Sequence, residues 1–461
     1  MNMKKWISLA LALLLCAGAF ALAEGDDLQA QLDAANARIA ELEAQVELYK
    51  PYYDSQIVAE FGDGGIIWRE DALAEYQSAS EAYAQYGLNI DDYADGIKQD
   101  ILQALVRQAV LDAKAEELGF TALDDEAKAK LEAEAAENFE TYIETYKSYF
   151  AGEDADDETA REQTIAAMES YGLTKDALYE QMLKSYVDEQ LHTYITKDVA
   201  VTDEDIQARY DQMVSDDEAS YSGSDRAYNS ARNSGETIAW NPEGYRAVKH
   251  VLIKFDDEQA AKYSELQSTL NTLKAEKDAV ENPKDEAADD AEADAEPTPE
   301  PTPEPRSLEL IEADIAEVTA EIEALHTELL PQAQQVVAEF EAGADFDSLI
   351  EKYNADPGMT REPIATNGYA VSATSDSMDP AFVEGAMSIA EIGQISAPVY
   401  GQNGIHIIYY MADITPGAVP FEEIKEAAES NALKDKIAET YDAQVSAWVE
   451  EANPVYHVDR F

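Results

Sequence analysis

The sequence predicts an α+β protein: a helical domain built from N- and C-terminal segments, with an inserted domain of small antiparallel sheet flanked by helices. That inserted domain itself carries a coiled-coil hairpin insertion. Three observations predict this. Acidic, Ala- and Tyr-rich stretches with helical apolar spacing fill residues 97–195 and 420–450. Short β-prone runs bounded by turn residues sit between them, at Tyr245–Phe255, Ile395–Tyr400 and Ile405–Met411. Two arms of three-and-four apolar spacing, from Tyr263 and from Leu308, enclose a charged proline tract.

Length and charge narrow the function classes. A chain of 461 residues suggests two to four domains. Lys and Arg total 32 against 96 Asp and Glu, a formal charge of −64. That argues against nucleic-acid binding, which runs on basic contacts to phosphate, and against charge-driven docking on an anionic membrane. An apolar fraction of 46% with 26 Tyr, 11 Phe and 4 Trp is far above that of a disordered acidic chain, so sizeable cores are expected. Cys16 is the sole cysteine. Intramolecular disulfides are therefore excluded, and cysteine-ligated zinc or a cysteine nucleophile is disfavoured.

The first 23 residues read as a secretory signal peptide. Lys4-Lys5 precede an apolar run from Trp6 to Phe20, and Ala21-Leu22-Ala23 supplies a small-x-small cleavage site. Export by a Sec-type route to an extracytoplasmic location, in a bacterium that uses few disulfides, is the expectation. Lipid anchoring at Cys16 would want a small residue before it, and Leu15 stands there. No later segment reaches 18 uninterrupted apolar residues.

Residues 27–50 place Leu28, Leu32, Ala35, Ile39, Leu42, Val46 and Tyr49 on a heptad seam, predicting a coiled-coil helix that Pro51 stops. Such a short seam needs a partner, and self-association is one source of it. Gly62-Asp63-Gly64-Gly65 between two β-prone runs signals a hairpin over 56–68. A broad apolar helix face then runs from Ile97 to Ala113 and ends near Gly119. Thr202 with Asp205 forms a capping box opening another helix. Residues 216–240, rich in Ser, Asn and Gly, read as a linker. The hairpin insertion spans 256–330; its tip holds the repeat Pro297-Thr-Pro-Glu-Pro-Thr-Pro-Glu-Pro305, a solvated spacer. Beyond it come helices at Ala333–Gly343, Phe346–Tyr353 and Pro380–Ile389.

Two blocks carry motifs. The first is Lys249-His250-Val-Leu-Ile-Lys254. The second holds Phe346-Asp-Ser-Leu-Ile-Glu-Lys-Tyr353, Asp356-Pro357, Met378-Asp-Pro-Ala-Phe382, Gly393-Gln-Ile-Ser-Ala-Pro-Val399 and Gly404-Ile-His406-Ile-Ile408. In this order they resemble the parvulin-type peptidyl-prolyl isomerases over roughly 100 residues, split by the hairpin. The resemblance implies a site in which His250 and His406 are the paired histidines and Asp356 the acid beside them. Met378 and Phe382 would form the apolar shelf for the proline ring. The family's glycine-rich loop is reduced here to Ile364-Ala-Thr-Asn-Gly368, so the resemblance puts Asn367 at a substrate-binding position. Asp256-Asp257-Glu258 stand where phosphate-specific members carry bases, which argues against phosphopeptide selectivity.

Twisting an Xaa–Pro bond breaks no covalent bond, so no nucleophile, metal or cofactor is expected. The barrier is amide resonance, about 18–20 kcal/mol, and an enzyme need only bind the twisted amide best. No EF-hand spacing is present either.

The flanks look like the chaperone domain of PrsA/SurA-type secreted foldases, with the C-terminal helix returning to complete it. The expected layout is a signal peptide over 1–23, a coiled-coil helix over 24–50, a chaperone-like helical domain over 51–240, a parvulin domain over 241–415 and a C-terminal helix over 416–461. The leading expectation is an extracytoplasmic foldase that isomerises Xaa–Pro bonds in unfolded secreted polypeptides. Two alternatives stay open: a holdase with an inactive parvulin fold, and a coiled-coil surface-interaction protein.

Overall fold

Local chemistry starts most of the helices. In the computed structural model, which describes residues 25–152, 155–282 and 306–461, Asp124, Asp156, Thr174, Thr202, Ser224 and Asp256 each accept a backbone N–H from the first turn of the helix that follows. Each such cap satisfies a donor that the helix cannot satisfy itself. Thr202–Asp205 is a full capping box, as the sequence predicts, and Asp256–Gln259 is a second. The segment read as a signal peptide, Cys16 and the proline tract lie outside the described residues. By its internal contacts the chain divides into two units, one ending at Ala200 and rejoined by Leu433–Phe461, the other Val201–Ala432.

The first unit opens with α1 (Gly25–Ser55), a single helix that runs through Pro51. The expectation that Pro51 stops it is corrected: only four residues follow, so the lost N–H disturbs just the last turn. Along its seam Leu32 and Tyr49 are exposed, while Ala35, Ile39 and Leu42 are half-buried. Strands β1 (Ile57–Phe61) and β2 (Gly65–Trp68) form the hairpin, Phe61 opposite Gly65. Helices α2 (Arg69–Gln85), α3 (Ala94–Glu117), α4 (Asp125–Phe150), α5 (Asp157–Ser170) and α6 (Lys175–Thr196) follow. The chain end returns to this unit: Val455–Tyr456 pairs antiparallel with β1. Trp448 and Val449 pack on the core of Val58, Leu102 and Val106.

In the second unit, the stretch read as a linker is helical. α7 (Asp203–Tyr221) and α8 (Asp225–Ser234) occupy most of residues 216–240. Polar residues there are used rather than solvated: the Asp217 carboxylate accepts from the Ala239 and Trp240 amides, and Ser224 caps α8. β3 (Trp240–Asn241) pairs with β8 (Gly417–Ala418). The main sheet has the order β5-β4-β7-β6, formed by β4 (Arg246–Lys254), β5 (Tyr369–Val371), β6 (Val399–Gly401) and β7 (Gly404–Asp413), all antiparallel. α9 (Asp257–Glu281) and α10 (Leu308–Glu341) form the hairpin arms, tied by Lys262–Glu321 at 3.2 Å and Lys277–Glu312 at 2.7 Å. α10 continues through Pro331, joining the expected second arm and the helix after it. Burial on both sides of that proline, by His326 before and Ala333 and Val336 after, outweighs the missing N–H.

Period-two alternation builds the sheet's two faces. Val251, Ile253, Ile405 and Ile407 pack with α10 and α11 (Phe346–Tyr353), through Val336, Phe346 and Leu349. The opposite face packs Val248 and Ile408 against Phe382, Val383 and Ala386 of α13 (Pro380–Ser388). Between them comes the short α12 (Ile364–Asn367). Each fully buried Leu or Ile contributes about 1.5–3 kcal/mol.

Candidate active site

His250 sits on β4 and His406 on β7. In the register His250 lies opposite Ile408 and Leu252 opposite His406, so both histidines are on the face that α13 covers. Their imidazoles stack with centroids 5.0 Å apart, and Nδ1 meets Nδ1 at 2.9 Å. Both rings are buried.

Asp356 is brought in by backbone bonds that β5 leaves open. β5 pairs with β4 only along Arg246–Val248. Further along, the Leu252 N–H donates to the Asn354 side-chain oxygen at 2.9 Å, and its C=O accepts from the Ala355 N–H at 3.0 Å. Asn354 Oδ1 also accepts from the Asp356 N–H at 3.0 Å. Those bonds hold the Asp356 carboxylate against the histidine: Oδ2 accepts from His250 Nε2 at 2.9 Å and from the Tyr369 hydroxyl at 3.0 Å, while Oδ1 accepts from the Gly358 N–H at 3.1 Å.

The electrostatics follow from this. Burial alone would raise the Asp356 carboxyl, but the bonds from His250, Gly358 and Tyr369, with the charge of His250, hold it down at about 2. Burial lowers the His406 imidazole to about 3, reinforced by the charge of His250 and opposed by that of Asp356. Burial, then the neighbouring carboxylate, pushes the Tyr369 phenol up, so it stays a donor.

Apolar walls surround this network. The Phe382 ring stands edge-on to both imidazoles, 5.1 Å from His250 and 5.2 Å from His406. With Met378 and Leu252 it lines a cleft of about 220 Å³ that also includes Asp379 and Asn403. Asp379 caps α13 through the Ala381 N–H and accepts the Gln402 N–H at 2.7 Å, joining that helix to the β6–β7 turn.

Five of the six residues singled out from the sequence thus meet in one cleft. Asn367 does not. It is exposed at the end of α12, outside the cleft lining. At Gly368, with φ +67°, the chain crosses so close to β4 that a Cβ would stand 2.6 Å from the Val248 carbonyl oxygen. That crossing carries Tyr369, not Asn367, to the network. Sequence reasoning missed Tyr369, Asn354 and Asp379. Only Asp379 left a signal, as an N-cap before Pro380.

His326, also missed, is buried in the hairpin arm. Its Nε2 lies 3.0 Å from the Gly401 carbonyl oxygen, and its ring touches Phe255, Tyr263 and Tyr400. Among the described residues no group of three or more His, Cys, Asp or Glu is arranged to hold a metal ion.

Paired histidines on one sheet face, with an acid and an apolar wall beside them, are the arrangement that the resemblance to parvulin-type isomerases implies. Residues 313–412 match the family model described as "PPIC-type PPIASE domain". Beyond that segment, the chain is similar to PrsA foldases over most of its length. It is 23% identical over 364 residues to the foldase protein PrsA of Clostridium perfringens, covering 79% of this chain and 73% of that one. To PrsA of Clostridium botulinum it is 21% identical over 385 residues, 82% of this chain and 81% of the relative. The crystal structure of PrsA from Bacillus subtilis aligns over 86% of this chain and 92% of its own, at 16% identity and a TM-score of 0.20. The matched family segment begins inside α10, so the strand bearing His250 lies before it.

Proposed function

We propose that the protein is an extracytoplasmic foldase whose parvulin cleft isomerises Xaa–Pro bonds in unfolded client polypeptides. The observation that carries this is the hydrogen-bonded chain His406–His250–Asp356–Tyr369 on the floor of an apolar-walled cleft. The proline ring rests against Phe382 and Met378. As the amide twists, conjugation is lost and the carbonyl oxygen and nitrogen change their hydrogen-bonding demand. A preorganised polar network beside a desolvated ring favours that twisted form over either planar one. His406, lowered to about 3 by burial, stays neutral at neutral pH and puts no charge of its own beside the ring.

The holdase alternative rested on the shortened glycine loop. Asn367 stands outside the cleft, so its polarity does not bear on the shelf. The PrsA relatives favour a foldase over a surface-interaction protein. Export follows from the same reading. Independently, the heptad spacing of α1, with Leu32 and Tyr49 exposed, supports its pairing with a second copy, which sedimentation velocity with and without residues 25–50 tests. Among the described residues no helix is long and apolar enough to cross a membrane.

The deciding measurement is cis/trans exchange in Xaa–Pro peptides by exchange NMR, with His406→Ala and Met378→Ala as folded controls. Acceleration that the variants lose supports the isomerase. A well-folded protein that accelerates no peptide overturns it and leaves the holdase.

A further inference from the structure

The loop Ser372–Asp379 separates two clefts. Met378 and Asp379 line the isomerase cleft on one side. Thr374 and Asp376 line a larger cleft, about 730 Å³, on the other. The walls of this second cleft are the rings of Tyr221, Trp240 and Tyr245 with Pro242 and Pro416. Its charged residues are Asp225, Glu243 and Asp376, and no lysine, arginine or histidine lines it.

The partition between the clefts is fixed. Asp225, in the first turn of α8, accepts from the Tyr245 hydroxyl at 2.8 Å, from Ser375 Oγ at 2.6 Å, from Asn229 Nδ2 at 3.0 Å and from Ser377 Oγ. Its carboxylate is thereby consumed in holding the loop. Glu243 and Asp376 are exposed, and among the described residues neither has an ion-pair partner. An aromatic and proline wall with free carboxylates at its rim suits one kind of side chain: a cation on an apolar stem. Such a group stacks its stem on rings, gains a cation–π contact, and places its charge on the acids.

We propose that this cleft is a specificity subsite of the isomerase, taking a Lys or Arg side chain of the client a few residues from the proline. The inference rests on the reading of the first cleft as a peptide site. Spacing permits it. Asp376 and Met378 are two residues apart, and extended chain spans about 3.3–3.6 Å per residue. A client crossing the loop therefore reaches from one cleft to the other in two to four residues.

Matched Ala–Pro peptides carrying Lys, Gln or Glu at two, three or four positions on either side of proline test this. NMR titration of the chain from Glu24 onward gives affinity, and exchange NMR gives turnover. The Lys peptide at the right spacing is expected to bind roughly threefold to tenfold more tightly than its Gln counterpart, the size of two exposed charge contacts. Glu243→Gln with Asp376→Asn should close that gap. Glu258→Gln with Glu265→Gln, on the hairpin, changes the net charge equally and should preserve it. Equal affinities in the wild type, or a gap that survives the first double variant, overturn the subsite. A charge gap in binding without isomerisation of any peptide supports the subsite and counts only against the isomerase reading.

Discussion

His250 and His406 meet Nδ1 to Nδ1 at 2.9 Å, and only one proton can lie between those nitrogens. Because the other nitrogen of His250 donates to the Asp356 carboxylate at 2.9 Å, a neutral His250 accepts at Nδ1. His406 then carries its proton on Nδ1 and leaves Nε2 as a bare acceptor. That Nε2 is packed against Gly401, where a Cβ would stand 2.8 Å from it. Asp356 thus sets the tautomer of a histidine it does not touch.

The first expectation concerns acid. His406 is held at about 3, below the ordinary imidazole value, so the unfolded chain takes up its proton first as pH falls. Stability from this group is complete above about pH 6.5 and is lost towards pH 3, by up to about 1.4 kcal/mol per pH unit. Asp356, held at about 2, contributes stability above about pH 4 that is lost as pH falls to 2. Urea unfolding from pH 7 to 4 should show a steeper loss in wild type than in His406→Asn. Identical slopes would contradict a buried neutral imidazole.

Tyr369→Phe removes one of three donors to Asp356. The carboxyl should rise from about 2 yet stay ionised at neutral pH, at a cost of about 1.5–3 kcal/mol in stability. Turnover should fall several-fold. A Cβ at Gly358 would overlap the Tyr369 hydroxyl, so Gly358→Ala should reproduce the defect. The double variant should be scarcely worse than either single one, measured by exchange NMR and thermal unfolding. Full additivity would show that the two residues act apart.

Met378 and Phe382 should separate binding from folding. Phe382 is buried in the core beside Val383 and Ala386, so Phe382→Ala should cost about 3–5 kcal/mol. Met378 is only half-buried at the cleft; Met378→Ala should cost about 1 kcal/mol while raising KM for Xaa–Pro peptides. Equal destabilisation by the two changes would place Met378 in the core instead.

The hairpin is separable, but not all of it. His326 holds the Gly401 carbonyl, beside the backbone that packs on His406. Removing 268–317 and closing the arms with a short glycine loop should preserve cooperative unfolding and turnover, because Tyr263 and His326 remain. Removing 257–328 takes both and should destabilise the sheet. Equal behaviour of the two deletions in calorimetry and exchange NMR would show that the His326 contact carries nothing.

Much of this protein is written in short-range pattern. Alternation along Lys249–Lys254 and Gly404–Ile408 puts both histidines on one face, because side chains in a strand alternate whatever lies beyond. Phe346–Tyr353 is legible as a helix, and so are the caps at Thr202 and Asp256, whose partners lie three residues away. What the sequence alone did not decide depends on partners far along the chain. Tyr369 and Asn354 join the site only through contacts with β4, about a hundred residues earlier. Pro331 lies inside a helix because packing on both sides outweighs one missing N–H. The polar stretch 216–240 folds because Asp217 takes the Ala239 amide from its other end and Asp225 takes the Ser375 hydroxyl, 150 residues further along. Periodicity, capping and turn chemistry act over a few residues and can be read in order. Burial and long-range hydrogen bonds exist only once the chain has folded, and they decided which polar residues reached the cleft and which, like Asn367, stayed outside it.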